Sequence, residues 1–177
     1  MRLSALTHVI DSVRSLTRCE SVTVLGSAAL LATQPDLGEA DGPVETTRDA
    51  DLLVVPADDA LAAMVHEAMG AGSLFDERNG YHVDLLRPEI TTTLAPGWQA
   101  RLVPLPHARA LAAIDVAAVK LCVGRAKDLE LVRALLQRHV VDREAVVKLL
   151  MAMDLSERER HSAVKRLDAA VRGQASR

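Results

Sequence analysis

Two aspartates one residue apart, Asp49 and Asp51, open the aliphatic run Leu52-Leu53-Val54-Val55, and this stretch most restricts how the chain can fold. Four consecutive aliphatics closed by Pro56 read as a buried strand. Side chains alternate along a strand, so both carboxylates point to one face, about 7 Å apart. A protein interior has no use for two neighbouring carboxylates unless a cation sits between them. At a fraying strand end the same pair is simply solvated. The residues around the pair decide between these readings.

A strand precedes it. Ser21-Val22-Thr23-Val24-Leu25 is rich in β-branched residues and runs into Gly26-Ser27, then into the helix-forming Ala28-Ala29-Leu30-Leu31-Ala32. A strand, a tight turn and a helix start place backbone N–H groups together as an anion site. Ser27 then either caps the helix or offers its hydroxyl to a phosphate. A third strand, Tyr81 to Leu86, carries Asp84 among apolar neighbours, with His82 on the same face. His82 is expected as a partly buried histidine bonded to a neighbour, with contact to a nucleotide as the alternative.

Helical spacing of Leu6, Val9, Ile10, Val13 and Leu16 predicts an amphipathic helix over about 4–18. Asp58 or Asp59 caps a helix with the stripe Leu61, Met64, Val65, Ala68 and Met69, ended by Gly70 and Gly72. Arg101 to Leu105 is expected as an edge strand, because Pro104 is tolerated only there. Four helical stripes follow from Leu111 to Val171, broken at Gly124, and Asp115 is expected to be exposed. The fold class is therefore α+β (α/β): a mixed sheet flanked by helices over residues 1–106, with a C-terminal helical lobe over 107–177.

Composition narrows the function. The only aromatics are Phe75, Tyr81 and Trp98, too few for a platform that stacks single-stranded nucleic acid. Cys19 and Cys122 lie far apart and the six histidines have no ligand spacing, which speaks against zinc and for a reduced, cytoplasmic setting. No leader or membrane segment is expected. From Gln34 to Ile90 there are 13 acids against 3 bases, so a cation site belongs in this half, while the C-terminal half is mildly basic.

If the three strands are neighbours, three carboxylates converge beside an anion-binding turn. Mg²⁺ or Mn²⁺ suits such hard oxygen ligands and shares them with substrate phosphates. Two such ions can stabilise the attacking and leaving oxygens of a phosphoryl displacement. The set Gly26-Ser27, Asp49-Ala50-Asp51-Leu52 and Asp84-Leu85 resembles the signature of the DNA polymerase β-type nucleotidyltransferase superfamily. Downstream, Ala118-Val119-Lys120-Leu121 and Gly124-Arg125-Ala126-Lys127-Asp128-Leu129 are similar to the lysine and Arg-x-Lys-Asp motif of AbiEii-type toxin nucleotidyltransferases and their stand-alone bacterial relatives. The resemblance covers about residues 20–136, with residues 34–46 as an acidic insertion.

The resemblance implies an Mg²⁺-dependent enzyme that moves a nucleoside monophosphate from a nucleoside triphosphate to a hydroxyl of a protein, a tRNA or a small molecule. Asp49, Asp51 and Asp84 would be the catalytic metal ligands, two ions being held. Gly26, Ser27, Lys120, Arg125 and Lys127 would bind the triphosphate, with Asp128 as an accessory acid. A toxin–antitoxin setting would add a cognate antitoxin as partner. The alternative is a catalytically silent nucleotide-binding or antitoxin-like module on the same fold.

Overall fold

The predicted first helix forms as α1, Leu3–Thr17, and buries Leu6, Val9, Ile10 and Val13 along one stripe. It ends at Arg18, whose φ of 53° turns the chain left-handed and whose N–H closes on Arg14 O. The computed structural model describes residues 1–172. The strands that follow are β1, Ser21–Val24, and β2, Asp49–Val55. Between them the expected helix at Ser27 is a tighter 3₁₀ segment, Ser27–Ala32, and the acidic insertion holds a second one, Pro35–Gly38, that buries Leu37. Helix α2, Asp59–Met69, is capped by Asp58, which accepts from Leu61 N–H at 2.7 Å. It is followed by α3, Leu74–Asn79, and β3, His82–Leu85.

The strands form one mixed sheet in the order β3-β2-β1-β5-β4, where β4 is Val103–Leu105 and β5 is Ala108–Ala110. β4 lies at the edge, as Pro104 requires. β2 runs antiparallel to β1 and parallel to β3. Ala50, Leu52 and Val54 of β2 are buried while Asp49 and Asp51 are half-buried, so the strand keeps the alternation of one apolar and one chemical face. α2 packs on β3, and α1 packs on α2. The sequence reading missed β5. Its Ala-Arg-Ala composition has low strand propensity, and pairing on both sides makes it a strand: antiparallel with β4 and parallel with β1, through Thr23↔Arg109 and Val24↔Ala110.

The described residues divide into two compact units: Met1–Ile90 with Leu102–Leu111, which holds the sheet, and Thr91–Arg101 with the chain from Ala112 on. The second unit is helical: α4, Ala113–Val123; α5, Ala126–Gln137; α6, Arg143–Ala152; and α7, Glu157–Arg172. α4 is its central helix, contacted by α5, α6 and α7 alike. This corrects the expectation for Asp115, which is 1% exposed. A helix with neighbours on several sides has no wide solvent face, and Asp115 is satisfied by Arg101 instead. Arg101 Nε and Nη2 donate to its two oxygens at 2.8 and 2.7 Å.

Asp128, also 1% exposed, is the second buried charge of this unit. It joins two helices: Lys120 Nζ of α4 lies 3.2 Å away, and Arg125, at the N-cap of α5, donates from Nε at 2.7 Å and from its backbone N–H at 3.2 Å. Burial alone would raise the Asp128 carboxyl, but the Arg125 hydrogen bonds and the Lys120 charge outweigh it and hold the group below its ordinary range. Among the described residues, no helix is long and apolar enough to cross a membrane.

Two stability outcomes follow from these buried pairs. Asp115→Ala leaves the Arg101 guanidinium without its partner and should cost about 3–5 kcal/mol in denaturant unfolding. For Asp128 the depressed folded value means stabilisation that is full above the ordinary carboxylate range and lost as pH falls through the folded value. Thermal melts between about pH 3 and pH 7 should therefore show a steeper acid limb for the wild type than for Asp128→Asn.

Candidate active site

The register of β2 on β3 builds the site. Asp51 pairs with Asp84 and Asp49 pairs with His82. Residues paired across two strands share a face, and Asp49 and Asp51 share it by alternation. The three carboxylates thus meet on one side of the sheet. Their ligand oxygens all lie within 4.8 Å of one another, and all three residues are half-buried. Two unit charges at that distance repel by roughly 3–4 kcal/mol at an effective dielectric of about 20. Three carboxylates placed so could hold a metal ion, offering it oxygen donors only.

The Gly-Ser turn closes the site from β1. Leu25 N–H donates to Asp51 O at 2.8 Å, which brings the end of β1 against the acids. Gly26 has φ 58° and ψ −159°, a region open essentially to glycine alone. A Cβ placed on it would collide with Asp51 Oδ2. Both the backbone angle and the approach of the carboxylate demand glycine here. Ser27 is the first residue of the 3₁₀ segment, and no side chain caps that segment. Of the two roles open to Ser27, the cap is therefore not the one it takes.

The first unit also holds a carboxylate that sequence reading passed over. Asp76, in α3, is 8% exposed, and its carboxylate accepts from two donors. Arg48 Nη2 reaches Oδ1 at 2.8 Å, Gly72 N–H reaches Oδ2 at 3.1 Å, and the Asp76 N–H is itself capped by Ser73 Oγ at 3.2 Å. The Gly72 bond holds the carboxyl below its ordinary range; burial opposes this, and the Arg48 bond and charge reinforce it. His82 Nδ1 lies 3.4 Å from Asp76 Oδ1. That nitrogen is buried and makes no hydrogen bond, so the ring rests beside the carboxylate in close contact rather than through the bond expected for it. The available signal was Ser73-x-x-Asp76, a capping pattern ahead of the third strand.

The cations expected downstream belong to the second unit. Lys120 is 12% exposed and paired with Asp128, and Arg125 is the N-cap partner of the same acid. The Arg-x-Lys-Asp motif is thus the start of α5 and its tie to α4. Lys127 is exposed on the first turn of α5.

No curated protein and no solved structure matches the chain significantly. Residues 1–170 match the family described as "Nucleotidyltransferase of unknown function (DUF6036)", and the chain belongs to that family.

Proposed function

We propose that the protein transfers a nucleoside monophosphate from a nucleoside triphosphate to a hydroxyl acceptor, in an Mg²⁺- or Mn²⁺-dependent reaction at the Asp49–Asp51–Asp84 cluster. The observation that carries this reading is the convergence of three carboxylates within 4.8 Å, from two adjacent strands, beside a glycine turn. The donor set fits the ion: all ligands are hard carboxylate oxygens, with no nitrogen or sulfur that would favour zinc. When bound, a divalent ion there supplies positive charge against the phosphates and the developing charge of the displacement.

The chain's own groups do the rest. Asp49 and Asp51 hold the ligand positions from β2 and Asp84 from β3, so ion binding ties the two strands together. Gly26 lets the backbone approach without a side chain, and Ser27 offers its hydroxyl to a terminal phosphate. Asp84 also serves to accept a hydrogen bond from the acceptor hydroxyl as it loses its proton. The hydroxyl oxygen bonds to the α-phosphorus, the bond to the β-phosphate oxygen breaks, and pyrophosphate leaves. Lys120 and Arg125 are engaged by Asp128, so this reading leaves the triphosphate charge to the ion and the turn. The acceptor we infer, from the resemblance to toxin nucleotidyltransferases, is a protein or tRNA hydroxyl, and the partner in that setting is an antitoxin.

Incubation with α-labelled triphosphates, Mg²⁺ and cell lysate tests this reading. The wild type should place label on a discrete acceptor. Asp51→Asn should lower the labelling rate on the order of 10²-fold or more, as expected when a ligand that sets transition-state charge is removed. Gly26→Ala should approach the same loss, because its Cβ displaces Asp51. Labelling that survives Asp51→Asn contradicts the mechanism, and triphosphate binding without any label points to a silent binding module.

A further inference from the structure

Asp76 is a buried carboxylate outside the metal cluster, and two of its partners, Arg48 and His82, lead back to that cluster. Arg48 immediately precedes Asp49, and its guanidinium reaches both Asp76 Oδ1, at 2.8 Å, and Gly80 O, at 3.0 Å. The Arg48 carbonyl accepts the His82 N–H at 2.9 Å, the bond that begins the β2–β3 ladder. His82 stands opposite Asp49 in the register and two residues before Asp84, on the face of the acids. Its ring packs with the buried Nδ1 toward Asp76. The same residue therefore grips the residue before the first ligand and the ring beside the third.

We propose that Asp76 is the positioning residue of the metal cluster: through Arg48 and His82 it holds the starts of β2 and β3 in the placement that lets Asp49 and Asp84 share one ion. The alternative is that Asp76 only stabilises α3, whose first turn it helps to close through Gly72 and Ser73. Geometry separates the two. A carboxylate needed only by α3 has no use for the arginine that precedes β2. Asp76 faces Arg48 and His82, two side chains that border ligand positions, and Arg48 is held again by Gly80 at the turn into β3. Each unsupported strand start would be free to shift relative to the other. Ligand sets whose supporting partners are removed typically lose 10- to 100-fold in metal affinity or activity.

This inference rests on the metal-binding reading above, and the experiment keeps the two apart. Mn²⁺ is titrated by EPR into the whole protein for wild type, Asp84→Asn, Asp76→Asn and Arg48→Gln, each first shown by circular dichroism and a melt to be folded at the assay temperature. Arg48→Gln cuts the same tie from its other end, which covers the case where Asp76→Asn does not fold. The expected result is a drop in Mn²⁺ affinity on the order of tenfold for both tie variants while they remain folded, and a larger loss for Asp84→Asn. A lowered melting temperature with wild-type Mn²⁺ affinity in the folded variants overturns the positioning role and leaves the metal site standing. Equal Mn²⁺ affinity for wild type and Asp84→Asn overturns the metal reading and the inference with it.

Discussion

The first unit depends on how it accommodates three negative charges that repel one another. Their convergence is a consequence of strand register: sliding β3 by one residue would turn Asp84 into the apolar core and bring Val83 to the acid face. Buried Val83 opposes that slip, because it would leave the apolar face on which Ala50, Leu52 and Val54 of β2 stay buried. Hydrophobic burial on one side of the sheet thus enforces electrostatic repulsion on the other. Such an arrangement is stable only if the burial exceeds the repulsion or a cation relieves it.

The supporting residues around the cluster share one feature: each removes freedom from a strand end. Gly26 lets β1 finish against Asp51, and Arg48, the residue before Asp49, is held by Asp76 and by Gly80 O in the turn that leads into β3. The second unit solves a different problem. Its central helix α4 has little solvent face, so its charges are paired inside: Asp115 with Arg101, and Lys120 with Asp128 and its partner Arg125. A motif that reads as cationic therefore contributes to packing a helix pair, and the residue types at a matched motif do not by themselves assign its duty.

Much of this was legible in the chain. The apolar run after Asp51 and the β-branched run before Gly26 have the short-range composition of strands, and both form close to where they were expected. Asp84 was visible as an acid among apolar residues, yet its meeting with Asp51 depended on β3 lying beside β2, which alternation within a strand does not encode. β5 escaped because Ala108-Arg109-Ala110 has no strand composition of its own and is extended by its pairing with β4 and β1. Asp115 was misread because periodicity assumes one solvent face, and a helix contacted by three others lacks it. The Asp76 tie was missed because its two halves are 28 residues apart, joined by a side-chain contact that leaves no local pattern.

The most direct measurement is a crystal structure of the protein with Mn²⁺ and a triphosphate analogue that cannot be cleaved at the α-phosphate, read by anomalous scattering. The account predicts Mn²⁺ peaks within bonding distance of the Asp49, Asp51 and Asp84 carboxylates, with the phosphates beside Gly26 and Ser27. Mn²⁺ and triphosphate bound elsewhere, with the three carboxylates carrying no ion at saturating concentration, would contradict it.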